Sequence, residues 1–197
     1  MSWSLCLSTS SEKPSKSLSL GLAPLLTSVS EVVPPSPPCT VFLDLSWPGS
    51  TTRRVKIHLS PDTPRGRQFL LLCTGQRGPS YRNTSLLGVV KKGQLGEFVW
   101  AGDYESNDGE GDSILLPDLN KGKYRRSGRL GDVCGLLWND HTQGVRGLFG
   151  IFTKYCLESQ NSSLVFGEVV EGLPVVVEAA QHSNIREVTV VDCGVVL

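Results

Sequence analysis

The chain has 197 residues, 39% hydrophobic and 19% charged, and its 19 Lys and Arg balance 19 Asp and Glu to a formal net charge of zero. That is enough apolar material for one good core, so one domain with a tail is expected. A neutral chain has no global field to gather nucleic acid or anionic lipid, so neither nucleic acid nor membrane is expected as a partner.

Residues 1–38 are dominated by Ser and Pro and end in Pro34-Pro35-Ser36-Pro37-Pro38. With few apolar residues at helical or strand spacing, this stretch cannot offset its ordering entropy and reads as a disordered tail or linker. Its expected use is to tether the domain within a larger multidomain protein, with docking to a proline-reading module as the alternative.

The domain itself is expected over residues 39–197. VFLDLSW (Val41–Trp47) alternates as a half-buried strand does, Pro48-Gly49-Ser50 makes a turn, and Val55, Ile57 and Leu59 share one face of RRVKIHLS, so the two runs form a hairpin. Asp62 or Thr63 can cap a helix that Pro64 opens and Gly75 ends, with Phe69, Leu72 and Cys73 facing inward. DYESNDGEGDS (Asp103–Ser113) reads as a surface loop. Strands are expected again at Gly135–Asp140, Leu148–Thr153 and Ser163–Val170, a short helix from Pro174 to about Ala180, and a closing strand within Arg186–Leu197. Two helices among many strands, without βαβ alternation, point to a barrel.

The six cysteines, Cys6, Cys39, Cys73, Cys134, Cys156 and Cys193, form no CxxC pair and none of the three histidines is near one, so no metal site and no cofactor is expected. Free thiols in a reducing compartment, cytoplasmic or nuclear, are the reading, with a disulfide as the alternative. Asn83-Thr84-Ser85 and Asn161-Ser162-Ser163 match a glycosylation sequon that matters only in a secreted chain. The first apolar run is broken by Ser19, Gly21 and Pro24, which does not suit a signal peptide, and no stretch has the length of a membrane span.

Pro64, Phe69, Leu72 and Gly75, then Tyr81, Gly102-Asp103-Tyr104, Phe166-Gly167 and Asp192-Cys193-Gly194 follow one another in an order and spacing that resembles the cyclophilins, a family of peptidyl-prolyl cis-trans isomerases. The resemblance covers roughly Cys39 to Leu197. It implies a mainly β fold: a closed eight-stranded antiparallel barrel capped by two α-helices. It also implies a groove for proline-containing peptides and a role in protein folding. An X-Pro amide rotates over a barrier of about 18–20 kcal/mol. The family lowers it with an arginine on the strand after the first helix, a pocket for the proline ring, and polar groups holding the flanking peptide.

Those chemical positions are mostly replaced. The arginine aligns at or beside Gly88 in SLLGVV, where no arginine stands, and Lys91 and Lys92 are out of register and lack the planar fork of a guanidinium. The pocket's phenylalanine, methionine and glutamine become Glu97, Phe98 and Trp100. The alanine-asparagine pair becomes Trp138-Asn139, and the QFFI strand becomes LFGI, with Leu148 for glutamine and Gly150 for the pocket phenylalanine. Glu158, Ser159 and Ser163 fall where the wall and the pocket histidine belong. The resemblance therefore leaves no catalytic residue and a set of peptide-groove candidates: Phe98, Trp100, Trp138, Asn139 and Leu148. Trp100 and Trp138 are read as packing into the vacated proline pocket, with exposed anchors as the alternative.

KGKYRRSGR (Lys121–Arg129) reads as a solvated loop balanced by Asp112, Asp118 and Asp132 rather than a phosphate-tracking patch. Arg53, Arg54 and Lys56 read as the outer end of the hairpin. His58 is out of register with the apolar face and is expected to meet solvent, and no nucleophile sits on a strained turn near His141. The function expected is a protein- or peptide-interaction domain of cyclophilin type with an eroded active site. The alternative is an active isomerase with a modified groove.

Overall fold

The computed structural model describes residues 36–111, 114–126, 128–136, 147–156 and 164–197. The expectations for the tail up to Pro35, and for Trp138, Asn139, His141, Glu158, Ser159 and Ser163, lie outside the described residues.

Alternation builds the first hairpin. β1 (Cys39–Ser46) and β2 (Arg53–Leu59) pair antiparallel, Val41 with Ile57 and Leu43 with Val55. Successive side chains of a strand point to opposite faces. Val41, Leu43, Leu45, Val55, Ile57 and Leu59 therefore all point inward, none more than 2% exposed. Outside, Arg54 pairs with Asp44, and its guanidinium lies 3.6 Å from the centre of the Phe42 ring.

Next, α1 (Pro64–Thr74) starts where Thr63 accepts a hydrogen bond from Gly66 N, so Thr63 rather than Asp62 is the cap. Pro64 takes the first turn, where its missing N–H costs nothing. Gly75 ends the helix at φ 65°, a left-handed conformation open to glycine. Phe69 is the helix's anchor: its ring lies 4.9 to 5.4 Å from those of Phe149, Tyr81 and Phe166.

The remaining elements are β3 (Leu86–Val90), β4 (Phe98–Ala101), β5 (Asp132–Gly135), β6 (Phe149–Phe152), β7 (Leu164–Glu171), α2 (Leu173–Gln181) and β8 (Thr189–Val195). Among the described residues the eight strands make one antiparallel sheet in the order β3-β4-β6-β5-β7-β2-β1-β8. The sheet curls until its ends meet. Ser85 bridges Thr189, Leu86 N donates to the Val188 carbonyl at 2.8 Å, and Val190 N donates to the Thr84 carbonyl at 2.8 Å. α2 covers one end of this barrel through Val176, Ala179 and Ala180.

Two sequence expectations need adjustment. The strand expected from Gly135 begins earlier, with β5 spanning Asp132–Gly135, and residues 137–140 of the expected range lie outside the described residues. Gly131-Asp132 looks like a turn, but the Asp132 carboxylate is 2% exposed and is held by the Arg125 guanidinium and Arg129 N, which lets an acid begin a buried strand. The Asp103 loop is also not simply superficial, because Gly102, Asp103 and Gly109 are buried.

Candidate functional site

On the outer face of β3, β4, β6 and β5, register sets one row: Gly88 opposite Trp100, Trp100 opposite Gly150, Gly150 opposite Cys134. Val99 and Ala101 point into the barrel, so Phe98 and Trp100 must point out. A tryptophan between two cross-strand glycines has room to fold onto the sheet, and it does. A Cβ placed on Gly88 would meet Nε1 of the Trp100 indole inside contact distance and its Cε2 and Cδ1 at 3.1 and 3.2 Å. Phe98 uses the second glycine: a Cβ on Gly150 would meet Phe98 Cδ2 at 2.9 Å and Leu136 Cδ2 at 3.1 Å. The aromatic rings thus occupy space that side chains at positions 88 and 150 would need.

Beneath these rings lies a second apolar cluster, outside the barrel core, made of Leu87, Cys134, Leu136, Leu148, Phe152, Cys156 and Val165. Phe98 and Trp100 pack against it and remain partly exposed. Covering an aromatic ring in this way stabilises by about 2–3 kcal/mol. Leu148 is only 1% exposed and is fully committed to the cluster. The fold therefore brings Phe98, Trp100 and Leu148 together. Beside them, the depression lined by Gly102, Tyr104 and Leu148 has no room for a water-sized sphere.

The far edge of the indole is clamped by a loop. The Asp103 carboxylate accepts hydrogen bonds from the backbone N–H of Glu105, Ser106, Asp108 and Gly109 at 2.8 to 3.1 Å, and from Ser106 Oγ at 2.9 Å. Burial alone would raise this carboxyl, but the bonds from Gly109, Ser106 and Glu105 outweigh it and hold the group well below the usual carboxylate range. Gly109 is thereby fixed at φ 95°, where a Cβ would meet Trp100 Cη2 at 2.8 Å. The indole is held between Gly88 on its own sheet and Gly109 on the loop.

The turn between β3 and β4 is fixed by Glu97, which is 0% exposed. Its carboxylate accepts from Gly93 N at 2.5 Å and Thr153 Oγ1 at 2.7 Å, with Lys154 Nζ at 3.5 Å. Burial works against the charge, but these donors together keep the carboxyl below its ordinary value. Lys91 and Lys92, the cations nearest Gly88 in the chain, are exposed in this turn.

Sequence reasoning missed both buried carboxylates. For Asp103 there was a signal, an Asp followed by Ser106 and a run of glycine and acid, the composition of an Asx-type turn. The Lys121–Arg129 run is partly balanced as expected, Lys121 by Asp118 and Arg125 by Asp132. Arg53, Arg54 and Lys56 pair with Glu178, Asp44 and Glu171. His58 is half-buried beside Thr40 rather than fully in solvent. Away from this row, Cys73 of α1 and Cys193 of β8 are free thiols in contact. The hydrogen bond from Cys73, against the cost of burial and with help from Ser80 and Arg82, draws Cys193 down to about 7, while burial pushes Cys73 up.

Among the described residues no group of His, Cys, Asp and Glu is arranged to hold a metal ion, and no helix is long and apolar enough to cross a membrane. No protein-family profile matches the chain. A curated protein of Encephalitozoon cuniculi (strain GB-M1), named peptidyl-prolyl cis-trans isomerase, is 26% identical over 170 residues, spanning 79% of this chain and 93% of that relative.

Proposed function

We propose that the chain, which is similar to a curated peptidyl-prolyl cis-trans isomerase, is a divergent cyclophilin-type domain that serves protein interaction, its isomerase groove filled by the chain's own aromatic side chains. The observation that carries this reading is the seat of the Trp100 indole over Gly88, on a strand, LLGVV, that offers no cation. Rotation about an X-Pro bond is accelerated when a positioned donor stabilises the twisted amide, and losing one such preorganised donor costs about a hundred- to thousandfold in rate. Phe98 over Gly150 supports the same reading for the proline pocket, since the ring already sits where a bound proline would need floor space. The free thiols Cys39, Cys73, Cys134, Cys156 and Cys193 support a reducing compartment, cytoplasmic or nuclear, for this domain.

The name of the curated relative favours a second reading, an active isomerase with a modified groove. Titration with the family's cyclic-peptide inhibitor separates the two. A filled groove leaves tryptophan emission unchanged at saturating inhibitor, and an open one gives a saturable change that Trp100→Phe removes.

A further inference from the structure

The barrel end that carries α2 gathers exposed apolar side chains. Three turns are joined there by backbone bonds: Gly96 N to the Tyr155 carbonyl at 2.8 Å, Cys156 N to the Gly128 carbonyl at 2.7 Å, and Gly131 N to the Phe152 carbonyl at 2.9 Å. Each turn raises one large apolar side chain into solvent, Leu95 at 64%, Tyr155 at 51% and Leu130 at 56% exposure. Leu130 lines an open cleft of about 420 Å³ together with Leu173, Pro174 and Val177 of α2, with Glu178 and Gln181 at its side. The inner face of α2, Val176, Ala179 and Ala180, is spent on the barrel, while Leu173, Pro174 and Val177 line the cleft.

Charge at the same end is one-sided. Lys91, Lys92, Arg126 and Arg129 are exposed and have no ion-pair partner among the described residues. The neighbouring acids are mostly engaged: Glu97 with Lys154, Asp132 with Arg125, Glu171 with Lys56 and Glu178 with Arg53. Exposed Glu168 on β7 is the exception. In a chain of zero net charge, four exposed cations without an ion-pair partner among the described residues, on the turns at the end that carries the cleft, are a local asymmetry that complements an acidic partner.

We infer that this face docks an acidic protein segment bearing apolar side chains, which enter the cleft between Leu130 and α2 while its carboxylates meet Arg126 and Arg129. The inference rests on the interaction-domain reading and names where that domain binds. A concave cleft takes side chains in, whereas a bilayer is met by an apolar face that inserts into it. Tyr155 alone offers no series of aromatic rings for the bases of a single strand. An apolar centre with a charged rim is the usual anatomy of a protein interface.

The test is panning of a random peptide library over the full chain, with R126E/R129E and L130S/V177S as comparison baits whose folding is checked by circular dichroism. The expected selection combines Asp or Glu with Leu or Phe. A synthetic copy should bind less tightly as salt is raised and be weakened about fivefold or more by either double variant. Selected peptides without acidic residues, or acidic peptides indifferent to both variants, overturn the inference. So does an empty selection, binding to phosphatidylserine vesicles in its place, or self-association in sedimentation that L130S/V177S abolishes. Catalysed prolyl exchange would defeat the interaction-domain reading, whereas peptides indifferent to the variants would defeat only the surface assigned here.

Discussion

Trp100 stands in the side-chain space of Gly88: the two residues face each other across β3 and β4, and the indole lies over the glycine with Cε2 and Cδ1 at 3.1 and 3.2 Å from where a Cβ would sit. An arginine returned to position 88 must therefore displace the indole. Gly88→Arg is expected to lower stability by about 1–3 kcal/mol through overpacking. Adding Trp100→Ala should recover part of the loss. Urea midpoints of the three proteins check this, and a fully stable Gly88→Arg would mean that the indole moves aside freely.

Trp100→Ala alone removes the ring clamped between Gly88 and Gly109. The indole is partly exposed, so the loss should fall below that for a fully buried ring, about 2–3 kcal/mol. Equilibrium unfolding measures it. A change below about 0.5 kcal/mol, the range of ordinary surface substitutions, would show that the ring contributes no packing.

How much of this was legible beforehand depended on which periodicity or pairing each residue obeys. The β1–β2 hairpin follows from strict alternation, and α1 from Thr63, Pro64 and Gly75, all local signals. β5 starts at Asp132, ahead of the expected Gly135, because Asp132 reads as a turn residue until Arg125 is seen to neutralise it. The resemblance put Trp100 at the groove, but the direction of its indole depends on the Gly88–Trp100–Gly150 register, which only the folded sheet supplies. The Asp103 clamp was visible only as an Asx-type turn composition, because its partners are backbone N–H groups and a sequence does not show where those point.

Asp103 also gives a pH dependence with a definite sign. Its folded-state pKa lies below the unfolded value of 3.8, so its contribution is fully present above that value and is lost as pH falls through it towards the folded one. Asp103→Asn is expected to cost about 2–3 kcal/mol at neutral pH, because several buried N–H groups lose a charged acceptor. The difference between variant and parent should shrink in acid. Thermal unfolding from neutral pH down to about pH 3 tests this, and a gap that stays constant with pH would refute the assigned role.

If the chain's own aromatic rings fill the groove, prolyl exchange should not be accelerated. Cis-to-trans exchange in an Ala-Pro peptide, followed by NMR with stoichiometric protein, is predicted to stay on its uncatalysed scale of about 10–100 s. Exchange accelerated well beyond that scale, and abolished by the family's cyclic-peptide inhibitor, would mean that the groove is open and the domain catalytic.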